Sequence, residues 1–251
     1  MRLTFLGTGS AFTLSNYHSN MLMEAGGQKL LIDCGGDVRH ALHDLSVGAR
    51  DIDAVYVSHL HADHVGGLEW LALATYFDPS KDRPSLFINE KLADELWDTC
   101  LKGGLGTLQN RIAHLDTYFE VRRIGKNKAF EFANVKYQSV QMVHYMDGYE
   151  IVPSYGLIWH ATDGRQVFLT TDTQFSPSLM KDFYADSDVI LHDAETSAHR
   201  SGVHAHYDEL KSLAPEVRAK MWLYHYQDGP LPDAKADGFA GFIEKGQVFE
   251  F

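Results

Sequence analysis

The chain has 251 residues, 45% hydrophobic and 22% charged, the profile of a globular protein with mass for one sizeable core or two small ones. Its net charge of −12 argues against broad nucleic-acid binding through a basic face, because phosphate contacts dominate such affinity. No apolar run approaches the roughly 20 residues that cross a bilayer, so neither a membrane nor a stable nucleic-acid partner is expected.

The segment Met1-Arg2-Leu3-Thr4-Phe5-Leu6-Gly7 lacks the apolar length and the small-residue cleavage site of a signal peptide, and is read as a first strand. Alternating or β-branched runs predict further strands over 30–32, Ala54–Val57, 86–88, 135–143, 156–159, 167–169, 189–191, 221–223 and 248–251. Helices are predicted over 38–45, Leu68–Tyr76, 91–101, 178–183 and 209–214. The first carries an apolar face at Val38, Ala41, Leu42 and Leu45. Ser176-Pro177 gives a cap and a first-turn proline, and Asp208 is the expected cap of the helix after it. Residues 102–106, with glycines at 103, 104 and 106, are expected to form a surface loop or a lid. The two cysteines, Cys34 and Cys100, are no disulfide framework. They suit a reducing, cytoplasmic setting and are read as small buried hydrophobes.

The densest chemistry follows the strand Ala54–Val57. Ser58-His59-Leu60-His61-Ala62-Asp63-His64 packs three histidines and one aspartate into six residues, out of 14 histidines in all. His59 and His61, two apart, can face one ion, and Asp63 and His64 can turn toward a second. Two ions about 3.5–4 Å apart form the clamp used in metal-assisted hydrolysis. Further ligands are expected at strand ends, where rigid elements hold metal geometry. His144, Asp172 and His225 each directly follow an apolar strand.

Together with Gly7-Thr8-Gly9-Ser10 and Leu31-Ile32-Asp33-Cys34-Gly35, these motifs resemble the metallo-β-lactamase superfamily over essentially the whole chain. The resemblance implies an α/β (α+β) fold, a four-layer αβ/βα sandwich forming a single domain over 1–251, with two metals at one edge. Carried over motif by motif, His59, His61 and His144 bind the first ion, Asp63, His64 and His225 the second, and Asp172 bridges them. Nitrogen and oxygen donors suit two Zn²⁺ ions, with Mn²⁺ or Fe as alternatives. Asp33 is expected to support a ligand histidine rather than to bind metal.

Phe5-Leu6-Gly7-Thr8-Gly9-Ser10-Ala11 and Ile32-Asp33-Cys34-Gly35-Gly36 are similar to signatures of the ribonuclease Z branch. Leu191-His192-Asp193-Ala194 resembles that branch's His-Glu-Ala-Thr segment, with Asp193 replacing glutamate. The resemblance implies a histidine facing the scissile phosphate, oriented by an acidic residue. His206 is matched to that role, with His204 as the alternative and Asp193 as its partner. Asp63 is the expected proton acceptor for the attacking water.

Enzymes that process tRNA 3′ ends carry a long arm, commonly inserted after the third ligand histidine. Only 27 residues separate His144 from Asp172, and they read as a hairpin. The chain is similar instead to phage and bacterial phosphodiesterases that defeat Pycsar-type cyclic-nucleotide immune signalling. That resemblance implies hydrolysis of cyclic CMP, UMP, AMP or GMP to linear nucleotides. It also implies a homodimer, in which residues 91–120 reach the partner's site. A tRNA-processing endonuclease is the alternative, and a lactonase or thioester hydrolase a more distant one. Tyr76, Phe77, Tyr118 and Tyr145 are candidates to stack on a base, with Tyr118 and His204 as substrate contacts.

Overall fold

The apolar segments pair into two seven-stranded sheets in a computed structural model describing residues 1–126 and 128–251. The first sheet runs Val248–Glu250, Arg2–Phe5, Met21–Ala25, Gln28–Ile32, Ala54–Val57, Ser85–Asn89, Glu120–Ile124. The second runs Gly241–Phe242, Met221–Tyr224, Val189–Asp193, Gln166–Leu169, Ile151–His160, Val135–Met146, Ala129–Phe132. Each sheet changes from antiparallel to parallel pairing partway across. The parallel strands are covered on both faces, which is why Ala54–Val57 is apolar and buried throughout rather than alternating.

Side chains from both sheets, among them Leu31, Tyr56, Tyr137 and Trp159, form one core. Within it Phe130 stacks on Tyr56 and Tyr137, with centroids 5.5 and 5.1 Å away. A second cluster, including Phe168, Met180, Tyr184 and Ile190, lies under the outer helix Pro177–Asp186. On the far side Val38–Asp44 and Leu68–Tyr76 bury Val38, Leu42, Leu68 and Leu71. The order is therefore helix, sheet, sheet, helix, the four-layer sandwich expected.

Two tight contacts carry this packing to the site. The Tyr56 hydroxyl donates to the Tyr155 carbonyl (2.8 Å), and the Tyr155 amide donates to Ser58 O (3.0 Å), tying the sheets just beneath the histidine motif. Beside it, the Cys34 amide donates to His64 O and the Gly67 amide to Cys34 O, both at 2.8 Å. At Gly35 a Cβ would fall on the Asp63 carbonyl oxygen. Gly35→Ala is therefore expected to push the Asp63 turn away from the sheet. Overpacking of this kind costs about 3 kcal/mol, and metal affinity should fall with it. Thermal unfolding and a metal titration check both; an unchanged variant would show that the close approach has no consequence.

Some sequence expectations are corrected. Residues 102–106 are not a loop: the helix Glu90–Glu95 widens over Leu96–Leu101 and continues as Lys102–Leu105, with Leu105 buried. Cys34 is buried as expected, whereas Cys100 is exposed. The strand expected to stop at Val143 runs on to Met146 through a register shift between Val143 and Tyr145. That irregularity falls at His144, and bulges of this kind re-aim side chains beside functional sites.

Candidate metal centre

The expected ligands converge from the carboxyl ends of strands in both sheets, where open α/β sheets place their binding sites. His59, His61, Asp63 and His64 come from the turn after Ala54–Val57, and His225 follows Met221–Tyr224. Two groups form, His59, His61, His144 and Asp172, and Asp63, His64, Asp172 and His225, each with ligating atoms within 4.8 Å of one another. Asp172 belongs to both. Its Oδ2 lies 3.3 Å from His64 Nε2, 3.5 Å from His225 Nε2, 3.6 Å from His59 Nε2 and 3.8 Å from His144 Nε2.

Four of the five ligand imidazoles, His61 excepted, are turned by an oxygen on the other nitrogen. Ser58 Oγ donates to Asp33 Oδ2 (2.7 Å) and so accepts from His59 Nδ1 (3.0 Å). Asp33 Oδ2 also accepts from His64 Nδ1 (2.8 Å). Ser19 Oγ donates to Gly9 O and accepts from His225 Nδ1 (3.1 Å), and Val203 O accepts from His144 Nδ1 (3.0 Å). This arrangement leaves the inward nitrogens of His59, His144 and His225 as acceptors, the tautomer a metal requires. Asp33 thus takes the supporting position expected of it. Ser58 and Ser19 were not singled out in the sequence, although Ser58 adjoins the motif.

The donor set fits two cations. His59 Nε2 and His144 Nε2 both stand 3.1 Å from His61 Nδ1, close to the edge of a tetrahedron with bonds of about 2.0–2.1 Å. His64 Nε2, His225 Nε2 and Asp172 Oδ1 are buried without a hydrogen bond among the described residues. Buried polar atoms are rarely left so. Burial holds His59 and His61 below the usual imidazole range and His144 down to about 4, so these rings are neutral and ready to ligate. His64 goes the other way. Burial opposes its charge, but Asp172, Asp63 and Asp33 outweigh that and raise its pKa well above the usual imidazole range. One buried ring among three carboxylates marks a place that calls for positive charge. Three of these residues adopt or adjoin left-handed backbone: Asp33 has φ 60°, Thr171 55° and His225 67°. Such strain in non-glycine residues clusters at functional sites.

The two candidate histidines are placed differently, and His206 stands at a helix cap. Its ring caps the short helix Tyr207–Leu210, accepting from the Asp208 amide (3.2 Å), while its Nε2 faces Ser197 O (3.0 Å). The helix begins before Asp208, so Asp208 is not the cap. His204 is the one of the two histidines that stands beside the ligand groups, 3.9 Å from Asp172 Oδ2. Its Nδ1 contacts Asp193 Oδ2 at 2.8 Å, and its ring lies 4.8 Å from His225 and 5.2 Å from His144. Burial disfavours charge on that ring, yet Asp193, then Asp172 and Glu195, push its pKa up to about 10. The Thr173 amide donates to the same Asp193 oxygen (2.9 Å), fixing the pair.

Of the aromatic candidates, Tyr118 is fully buried, donates to Leu105 O (2.8 Å) and packs on Tyr76; it does not reach the site. Phe77 lines a separate hollow with Arg39 and Trp70. Tyr145 alone of the four stands at the centre, stacked on His61 with centroids 5.1 Å apart.

Residues 1–249 match the family model of the anti-Pycsar protein Apyc1. The chain belongs to this family. A relative of that name from Saccharibacillus brassicae is 35% identical over 252 residues, covering 99% of this chain and 99% of the relative. Another, from Bacillus phage vB_BveM-Goe7, is 33% identical over 263 residues, covering 98% and 96%. Among solved structures, the metallo-β-lactamase fold protein YhfI from Bacillus subtilis matches with a TM-score of 0.76 at 19% identity, covering 99% of each chain. This member of the Apyc1 family therefore has the metallo-β-lactamase fold, and its histidine and aspartate clusters lie at one edge of the sandwich. Among the described residues no helix is long and apolar enough to cross a membrane.

Proposed function

We infer that this protein is a metal-dependent phosphodiesterase that opens cyclic mononucleotides, such as cyclic CMP, UMP, AMP and GMP, to linear nucleotides. The observation that carries the reading is Asp172, faced by two ligand groups at once, with the Asp193–His204 pair against the same point. Membership of a family whose relatives are named anti-Pycsar supports the substrate class. His59, His61, His144 and Asp172 would hold one divalent cation, and Asp63, His64, His225 and Asp172 the other. When bound, the pair supplies charge neutralisation on the phosphate and an acidified water. Zn²⁺ is the cation proposed, on the nitrogen and oxygen donors present.

The chain's own residues complete the chemistry. Asp63 Oδ2, 3.1 Å from His64 Nε2, is placed to accept the proton of the attacking water. His204 Nδ1 is taken by Asp193, which leaves Nε2 to donate to the ester oxygen as the P–O bond breaks. The residues between His144 and Asp172 form the hairpin Ile151–His160 and Gln166–Leu169 rather than a tRNA-clamping arm. We further propose the homodimer and the cytoplasmic setting that such a substrate suits.

The test is a chromatographic assay of the metal-loaded protein against the four cyclic mononucleotides, with a precursor tRNA in parallel. Linear nucleotides and an intact tRNA are expected, and a chelator should stop the reaction. Cleavage of the tRNA alone would overturn the reading.

A further inference from the structure

Beside the ligands lies a cleft of about 180 Å³. One wall carries His59, His61 and Tyr145, and the other carries Glu95, Thr99 and Cys100. That volume is below the roughly 300–1,000 Å³ of pockets for drug-sized ligands, and suits a single ring system. The second wall belongs to Glu90–Glu95 and the widened turn Leu96–Leu101. Widened turns inside helices recur at functional sites.

The three acidic side chains around this turn are handled differently. Asp94 pairs with Arg123, and Asp98 pairs with Lys102 at 3.0 Å. Glu95 alone of the three lines the cleft; it is exposed at the mouth, and among the described residues no ion pair or side-chain hydrogen bond holds its carboxylate. Thr99 Oγ1 donates to the Glu95 carbonyl (2.6 Å), which fixes the turn but not the carboxylate. Tyr145 lines the same cleft as Glu95 and stacks on His61 with centroids 5.1 Å apart.

A bare carboxylate beside a phosphate site repels the phosphate. It is also an acceptor only. Its presence is useful where the substrate offers a donor. We propose that Glu95 reads the base, accepting from an exocyclic amino group and so favouring cytosine over uracil. The inference rests on the phosphodiesterase reading above. Cytosine presents N4–H₂ where uracil presents the O4 acceptor, and glutamate accepting from cytosine N4 is a recognised pairing. Tyr145 would flank the ring, and His204 and the ligand groups would take the phosphate.

Two measurements test it. First, kcat/KM is compared for cyclic CMP and cyclic UMP. The wild type should prefer cyclic CMP by about ten-fold. Glu95→Gln should bring the two within about two-fold, chiefly by improving cyclic UMP, because a glutamine amide presents either an acceptor or a donor. An equal gain on both substrates means Glu95 acts only by repulsion, and overturns the proposal, as does no change. Second, alkylation of Cys100 by N-ethylmaleimide is followed in the metal-loaded protein; Cys34 is buried and its thiol pushed up by that burial. 5′-CMP should protect Cys100 better than 5′-UMP, and Glu95→Gln should abolish the difference. Absence of any protection removes the base from this cleft. The alkylation arm needs no turnover, so a wild type inert toward every cyclic mononucleotide defeats the activity reading while protection still decides the role of Glu95.

Discussion

Asp172→Ala should lose both metal ions and lower turnover by more than about 10³-fold. One carboxylate lies within 3.8 Å of the inward nitrogens of His59, His64, His144 and His225. Removing it takes a ligand from each group and strips the negative charge that most raises the His64 pKa. Loss of a mere supporting partner costs 10- to 100-fold in metal affinity, and a shared direct ligand must cost more at both positions. Emission spectroscopy should report a fall from two ions per chain toward none. Two retained ions with near-normal turnover would show that Asp172 is not shared.

The second large effect separates two histidines two residues apart. His204→Ala should lower kcat by about 10²- to 10⁴-fold, the usual contribution of a positioned acid, while both ions remain bound. His206→Ala should leave kcat close to wild type and cost about 1 kcal/mol of stability, the value of a helix cap. Loss of metal in the His204 variant would make it structural, and equal inactivation of both variants would return His206 to the mechanism. The pH profile adds a sign. A pKa raised to about 10 keeps His204 a donor below that value and removes the donor above it. Asp193→Asn withdraws the carboxylate that raises it, so the alkaline fall in kcat/KM should move toward neutral pH. A profile that stays in place would break the link between the two residues.

The histidine and aspartate clusters were legible in the sequence because metal chemistry demands particular residue types, which strand ends supply and, for His144, an irregularity inside a strand. His59 to His64, His144, Asp172 and His225 could be located with no knowledge of sheet order. The choice between His204 and His206 was not legible. It depends on where the chain enters a helix of four residues, and Asp208 is as good a cap in sequence as the histidine that takes the position. The strand Glu120–Ile124 was missed because it is an edge strand, and charged residues protect an edge while erasing the apolar pattern. Residues 102–106 misled for the opposite reason. Their glycines read as a loop, but the preceding turns carry the backbone on as helix and Leu105 anchors it. Tyr118 looked available because nothing local shows that its hydroxyl is spent on Leu105, 13 residues back.

Each ligand group draws two residues from the N-terminal half, after Ala54–Val57, and two from the C-terminal half, on or just past strands of the other sheet. The centre is therefore a rivet through the seam between the two halves as well as a reaction site. Beneath it the Tyr56–Tyr155 and Tyr155–Ser58 hydrogen bonds act as a hinge pin that needs no metal. Two bound ions would each cross-link the halves at the mouth of a seam that a shared core already closes below.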